Sequence, residues 1–232
     1  MRIFLAPLAA GELTVRGDEH HYIMRVRRAR IGDAVELVDG EGRRAAATIV
    51  KITDAETVLS VAAPETIPAA LPFVRVLVPL IKGDRMDTCL EKLVEVGVDA
   101  IVVWPAARSV VKLEPDRREA RIAKYQAALV AASRQSGRAL VPTIAWADDL
   151  SAALATLPPG SRFVLDPTSD QPLVPDPGAT DVTIVSGPEG GLAPSELDTL
   201  IGFTPIGLGP RVLRAETAPV IAVALVRAAT RS

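Results

Sequence analysis

The sequence predicts an α/β protein with a small, separate β-rich part at its N-terminus. Beyond Phe73, apolar strand-like runs alternate with helical patterns, which is typical of a mainly parallel sheet. Before Ile67 the runs are short and separated by turn residues. Three prolines within Ala63–Pro72 mark the stretch between the two patterns as a linker. We therefore expect two domains, at residues 1–67 and 73–232.

The N-terminal part contains five β-like runs and one helix candidate, Glu19–Arg28. The runs are Arg2–Leu5, Glu12–Val15, Ala34–Val38, Ala46–Val50 and Val58–Val61. Asp39-Gly40 is a strong hairpin signal between the third and fourth runs. Short strands joined by tight turns predict a small β-barrel for this part.

Arginines cluster in the same part of the chain, and four of them crowd six positions that contain no acid. Arginine is well suited to forked contacts with phosphate groups, although a solvated helix face is the ordinary alternative. The candidates for contact with nucleic acid are Arg25, Arg27, Arg28 and Arg30, with Arg43 and Arg44 after the hairpin. Since the net charge of the whole chain is only −2, any such contact depends on local clusters of this kind.

The C-terminal part alternates strands with helices as far as the last residues. Its strand candidates are Phe73–Leu80, Ala100–Trp104, Arg162–Leu165, Asp181–Ser186 and Phe203–Leu208. Its helix candidates are Arg85–Val96, Arg117–Ser133, a start at Ala193-Pro-Ser-Glu and Glu216–Arg227. Proline and Ser or Glu in a first turn are helix-start signals. Arg134 and Arg138, near one helix end, are candidates for contact with RNA or with a neighbouring subunit.

Two glycine-bearing loops, Ser186–Gly191 and Leu208–Ala218, each follow a strand run and precede a helical pattern. Open α/β sheets bind ligands at this position, beyond the carboxyl ends of their strands. Glycine lets a ligand approach the backbone, and a helix N-terminus favours electronegative groups. Taken alone, the loops fit a ligand site, a phosphate site for ATP or NAD, or plain tight turns equally well.

Composition excludes several classes of protein. No apolar run approaches the roughly 20 residues that span a bilayer, so we expect no membrane partner. Cys89 is the only cysteine, which excludes an intramolecular disulfide and a cysteine-based zinc cluster and fits the cytoplasm. His20 and His21 are adjacent and point in different directions, so we expect no metal and interpret both as partly exposed polar residues.

Taken together, the two loop sequences resemble the RsmE family of ribosomal RNA methyltransferases. The pair is specific because Gly-Pro-Glu-Gly-Gly is followed by Leu-Gly-x-Arg-x-Leu-Arg-x-Glu-Thr-Ala. Further similar motifs occur in the family's order: Lys82, Arg85–Asp87, Lys92–Val98, Arg108-Ser109, Ser133–Arg138 and Pro142. The stretch His21–Arg28 is similar to the family's N-terminal histidine stretch, but Arg27 stands where leucine is usual.

The resemblance implies a SPOUT-type C-terminal domain whose trefoil knot binds S-adenosylmethionine, and an N-terminal PUA-like RNA-binding barrel. It implies a homodimer that needs no metal. The implied reaction is methylation of N3 of a uridine in 16S ribosomal RNA, with that RNA or the small ribosomal subunit as partner. A catalytically silent RNA-binding protein of the same fold is the alternative. A nucleotide site is disfavoured, because the glycine pattern at Gly40–Ala45 leads into a β-branched run and not a helix.

The resemblance also implies the site residues. Those expected to hold the cofactor, largely through backbone groups, are Leu165, Asp166, Gly187, Pro188, Glu189, Gly190, Gly191, Ile206, Leu208, Gly209, Val212, Leu213 and Ala218. Arg211 joins the candidates for RNA contact. Arg214, Glu216 and Glu189 are candidates for chemistry at the base, because arginine can stabilise negative charge on uracil oxygens and a glutamate can accept a proton. Phosphate anchoring by Arg214 and helix-dipole capping by Glu216 are the alternatives.

Overall fold

The structure, a computed structural model, describes residues 1–176 and 178–230. The chain divides into two compact units. The first contains Met1–Ala69 together with the short segment Ser133–Val141, and the second contains the remainder. No helix among the described residues is both long and apolar enough to cross a bilayer.

The first unit is built on six strands. They are β1 (Arg2–Phe4), β2 (Gly11–Val15), β3 (Ala34–Val38), β4 (Arg43–Ile52), β5 (Thr57–Val61) and β6 (Glu65–Thr66). The order across the sheet is β1-β3-β4-β5-β2, with β6 paired to β4. The hairpin predicted at Asp39-Gly40 is confirmed, because β3 and β4 pair antiparallel. The Asp39 carboxylate fixes the turn by accepting hydrogen bonds from the backbone N–H groups of Glu41 and Arg43, at 2.8 and 3.0 Å.

The predicted helix Glu19–Arg28 exists in a different form. A short α-helix, α1 (Gly17–His21), continues as a π-helix over Tyr22–Val26. The wider turn is closed by a bond of 3.0 Å from the N–H of Arg27 to the carbonyl of Tyr22, five residues earlier. The segment ends at Arg28, whose φ of 49° lies in the left-handed region. Periodicity alone does not distinguish such a widened turn from an α-helix.

The second unit contains one parallel sheet, as the alternation predicted. Its strands are β7 (Phe73–Pro79), β8 (Ala100–Trp104), β9 (Thr143–Trp146), β10 (Ser161–Leu165), β11 (Asp181–Val185) and β12 (Thr204–Ile206). The order is β12-β10-β11-β7-β8-β9, and every neighbouring pair is parallel. All residues of β11 are buried, as expected for a parallel strand covered on both faces.

Helices follow most of these strands. They are α2 (Asp84–Val96), α3 (Arg118–Ser136), α4 (Leu150–Ala155), α5 (Pro194–Asp198) and α6 (Ala218–Ala229). Helix α2 ends at Gly97, whose φ of 103° is left-handed and whose N–H bonds back to the carbonyls of Leu93 and Val94. Helix α6 packs on α2, β7 and β11. The sequence did not predict β9 or α4, since elements of four and six residues carry too little periodicity.

Candidate active site

A cavity of about 710 Å³ opens at the carboxyl ends of β10, β11 and β12. Most residues of three segments line it: 164–167 at the end of β10, 186–192 after β11, and 205–218 at the end of β12 and beyond it. Apolar side chains, including Leu200, Phe203 and Ile206, form much of its wall. The cavity therefore lies where ligands bind in open α/β sheets, and both glycine-bearing loops contribute to it.

The segment after β10 is fastened to the segment after β12. The N–H of Asp166 donates to the carbonyl of Ile206 at 3.0 Å. The N–H of Gly207 donates to the main-chain carbonyl of Gln171 at 2.9 Å. A β-carbon on Gly207 would lie 1.9 Å from the carbonyl oxygen of Ser169, so only glycine fits there. The close approach of these two segments builds one side of the cavity.

A residue from the loop after β8 holds the glycine loop from outside. Arg108 donates from Nη1 to the carbonyls of Gly190 and Leu192, at 3.2 and 3.3 Å. Nearby, Glu196 of α5 accepts a bond of 2.7 Å from the N–H of Ala107. Arg108 thus holds the backbone of the glycine loop, and its side chain is not one of those that line the cavity.

Charged side chains from three elements gather beside the cavity. Nη1 of Arg85, on α2, lies 2.7 Å from Oε1 of Glu189 and 3.9 Å from Oε2 of Glu216. That Oε2 atom is buried and has no hydrogen-bond partner among residues 1–176 and 178–230. Burial, and secondarily the negative charge of Glu216, raise the pKa of the Cys89 thiol to about 12. Glu216 thus faces α2 with unused hydrogen-bonding capacity.

Comparison with known proteins identifies the family to which the chain belongs. An RNA methyltransferase domain model matches residues 69–227, and an RNA methyltransferase PUA domain model matches residues 15–61. The ribosomal RNA small subunit methyltransferase E of Mycobacterium tuberculosis is 31% identical over 228 residues, which cover 91% of this chain and 84% of that protein. The chain belongs to the RsmE family.

Other RsmE proteins agree with this assignment. The ribosomal RNA small subunit methyltransferase E of Bacillus subtilis is 29% identical over 231 residues, which cover 94% of this chain and 90% of that protein. The crystal structure of the Neisseria gonorrhoeae enzyme, bound to S-adenosyl methionine, matches with a TM-score of 0.81 at 27% identity. That match covers 98% of this chain and 96% of the other.

The structure brings together nearly all the residues predicted to hold a cofactor in this RsmE protein. Those that line the cavity are Leu165, Asp166, Gly187, Pro188, Glu189, Gly191, Ile206, Leu208, Gly209, Val212, Leu213 and Ala218. Gly190 does not line it, because its carbonyl turns toward Arg108. Arg211 and Arg214 line the cavity as well, whereas Glu216 lies beyond its lining and beside Arg85.

Sequence reasoning missed several residues that line the same cavity. They include Ser186, Leu192, Leu197, Leu200, Phe203 and Pro205. Leu197 and Leu200 are three residues apart on and after α5, between the two glycine-bearing loops. That spacing is a signal of an apolar face, but a helix of five residues is too short for it to be recognised in the sequence. Arg85 was recognised as part of a motif but not as part of the site.

The candidate arginines of the first unit differ in the contacts that their side chains make. Nη2 of Arg43 donates to the carbonyl of Leu8 at 2.8 Å, and Nε of Arg44 lies 2.6 Å from Oε1 of Glu65. Arg134 lies 2.9 Å from Glu19. Arg138 is half-buried. The four arginines around the end of the π-helix, Arg25, Arg27, Arg28 and Arg30, are all exposed.

Histidines do not form a metal site here. Among the described residues, no group of three or more His, Cys, Asp or Glu side chains is placed to hold a metal ion. His20 is buried, and its ring lies 2.9 Å from the hydroxyl of Thr57 and 3.3 Å from the carbonyl of Asp54. The expectation that both histidines are partly exposed was therefore wrong for His20, which joins α1 to the sheet of the first unit.

Proposed function

We propose that this protein transfers a methyl group from S-adenosylmethionine to N3 of a specific uridine in 16S ribosomal RNA. The reaction takes place in the cytoplasm, on the naked RNA or on the small ribosomal subunit. The observation that carries the proposal is the glycine-walled cavity at the ends of β10, β11 and β12, with a cluster of Arg85, Glu189 and Glu216 beside it. In the related Neisseria gonorrhoeae enzyme, S-adenosyl methionine is the bound molecule.

The cavity fits such a cofactor in size and chemistry. Its volume of about 710 Å³ lies within the roughly 300 to 1,000 Å³ of small-molecule sites. Its wall combines aliphatic side chains, suited to the faces of an adenine ring, with backbone at Gly187, Gly191 and Gly209 that a ligand can approach closely. When bound, the cofactor supplies an electrophilic methyl group, so the protein's task is to orient the base and manage charge and protons.

Three side chains are assigned to chemistry at the base. Arg214 lines the cavity and its side chain makes no hydrogen bond or ion pair within the described part of the chain, so its guanidinium is available to uracil oxygens as they gain negative charge. Glu216 offers a buried carboxylate oxygen without a partner and is suited to accept the N3 proton. Glu189 lines the cavity and pairs with Arg85.

RNA contact is assigned to the exposed arginines at residues 25–30 and to Arg211, an exposed residue that lines the cavity. Arg43, Arg44, Arg134 and Arg138 are kept as candidates, although Arg43, Arg44 and Arg134 have partners within the first unit. Binding RNA therefore requires these three to exchange an internal contact for one with phosphate. The PUA domain match at residues 15–61 supports an RNA-binding barrel within the proposed domain 1–67.

A trefoil knot and a homodimer complete the proposal for the domain at residues 73–232. The bonds that hold residues 166–171 against β12 and Gly207 support a knot, since they join the segment after β10 to the chain leaving β12. An exposed apolar surface on helix α6 supports the homodimer. Its exposed side includes Ile221 and Leu225, one turn apart and 39% and 44% exposed, and a second copy would cover that apolar surface.

Calorimetric titration of the purified protein with S-adenosylmethionine tests the proposal. Binding heat with one site per chain, followed by transfer of a labelled methyl group to small-subunit RNA, is the expected result. Absence of binding at high cofactor concentration contradicts the proposal and favours the silent RNA-binding alternative. Binding without transfer to any ribosomal RNA contradicts the assigned substrate.

A further inference from the structure

Arg85 is placed so that one guanidinium nitrogen serves two carboxylates on different loops. Its Nη1 atom lies 2.7 Å from Glu189, on the loop after β11, and 3.9 Å from Glu216, on the segment that enters α6. The three side chains are 36%, 35% and 14% exposed. Arg85 itself lies in the first turn of α2, outside the cavity lining.

Without Arg85, the two carboxylates would lack their only charged partner among the described residues. Two neighbouring negative charges repel each other, and the less exposed one, Glu216, would be poorly solvated. Cys89, one turn along α2 from Arg85, offers no compensation, because it is a neutral buried thiol. Arg85 therefore stabilises a pair of anions that would otherwise turn toward another cation.

The nearest alternative cation along the chain is Arg214, two residues before Glu216 and a member of the same cavity lining as Glu189. Arg214 makes no ion pair with any residue in the described ranges. The geometry points to Arg85 as a positioning residue for methyl transfer: by holding Glu189 and Glu216, it keeps the Glu216 carboxylate oriented and leaves Arg214 available to the substrate. This inference rests on the proposed function, because it concerns the same site.

Substitution of Arg85 tests this role separately from folding and from cofactor binding. The glycine loop has an independent anchor in Arg108, so Arg85→Met keeps the affinity for S-adenosylmethionine within about threefold. Its kcat falls by about 10- to 100-fold, because Arg214 and Glu216 then pair with each other or lose orientation. Arg85→Lys restores a positive charge without the forked N–H donors of the guanidinium, and it recovers part of the kcat.

Lys92→Met provides a matched control on the same helix. Lys92 is also a cation between two carboxylates, Glu91 and Glu95, but its pairs are exposed and lie along α2. We expect this variant to keep the kcat and KM of the wild type. Calorimetry, thermal unfolding and steady-state methyl transfer to small-subunit RNA are measured on all four proteins.

The outcomes separate this inference from the proposed function. An active wild type with an Arg85→Met variant of equal kcat overturns the role of Arg85 alone. So does a variant that loses cofactor binding and kcat together, or an Arg85→Lys variant no better than Arg85→Met, since those results indicate a merely structural residue. A wild type that transfers no methyl group overturns the proposed function and this inference with it.

Discussion

Gly207 meets the backbone of Ser169 so closely that a β-carbon on it would lie 1.9 Å from the Ser169 carbonyl oxygen. The contact joins the segment after β10 to the segment after β12, and a bond of 2.9 Å from the N–H of Gly207 to Gln171 reinforces it. The obstacle is main chain, which cannot turn aside as a flexible side chain can. One side of the cavity therefore depends on the absence of a side chain at residue 207.

Gly207→Ala is predicted to lower the free energy of unfolding by more than about 2 kcal/mol and to weaken S-adenosylmethionine binding, because the two segments must separate. Gly202→Ala is the matched control. That glycine has a φ of 88°, but a β-carbon added to it would meet no other atom. Its substitution therefore adds backbone strain of about 1 kcal/mol without a clash. Chemical denaturation and calorimetry compare the two. Equal stability losses would contradict the steric account.

Arg227→Met is predicted to destabilise the second unit by about 3 kcal/mol. The Arg227 guanidinium, on α6, donates to the carbonyls of Gly97 and Pro72 and pairs with Asp99, with side-chain exposures of only 15% and 9% for the pair. Removing it leaves a buried carboxylate without this cation. Urea denaturation of Arg44→Met, which breaks an exposed ion pair, is expected to show a loss below about 1 kcal/mol. Similar losses for both variants would show that Arg227 is not a buried anchor.

Cys89 is predicted to resist thiol reagents in the folded protein. Burial, with a smaller contribution from Glu216, raises its pKa from 9.0 to about 12, so the nucleophilic thiolate is absent near pH 8. A chromogenic disulfide reagent should react only after denaturant is added. Rapid reaction of the folded protein at pH 8 would contradict the burial of this side chain.

The raised pKa of Cys89 also predicts that the stability of the protein depends on pH. In the unfolded chain the thiol loses its proton from about pH 9, whereas in the folded protein it keeps it up to about pH 12. Since the unfolded state binds fewer protons in this range, the free energy of unfolding falls as pH rises, by about 1.4 kcal/mol per pH unit. Cys89→Ala lacks this dependence, so its stability relative to the wild type should rise between pH 9 and pH 11. A constant difference would contradict the raised pKa.

Arg214→Ala is predicted to keep cofactor binding and to lose turnover. The side chain is exposed and makes no internal hydrogen bond or ion pair among the described residues, so its removal should leave the fold intact. Loss of a cation that stabilises charge on the base should reduce kcat about 100-fold. Calorimetry and single-turnover methyl transfer distinguish the two effects. Joint loss of binding and turnover would instead make Arg214 part of the cavity structure.

Much of the fold followed from sequence pattern, because long parallel strands and amphipathic helices carry strong periodicity. Helix α2 and strand β8 have bounds within one residue of those predicted. The π-helix at Tyr22–Val26 and the short β9 did not follow, since both depend on tertiary packing. The membership of Ser133–Val141 in the first unit also lies beyond local pattern, because it is set by contacts with residues distant in sequence.

Some residues of the candidate site could likewise be predicted from the sequence, and others could not. The glycine-bearing loops were predictable, because glycine and proline at strand ends have direct conformational causes. Leu197 and Leu200 were not, since a helix of five residues shows too little of an apolar stripe. The grouping of Arg85 with Glu189 and Glu216 required the structure, as Arg85 lies more than 100 residues before either glutamate in the sequence.

The most direct test of the central claim is a map of modified uridines in small-subunit ribosomal RNA from cells with and without the gene for this chain. We predict that the deletion removes one N3-methyluridine and leaves every other modification in place, and that the wild-type gene restores the mark while the Arg214→Ala gene does not. A map unchanged by the deletion would contradict the account.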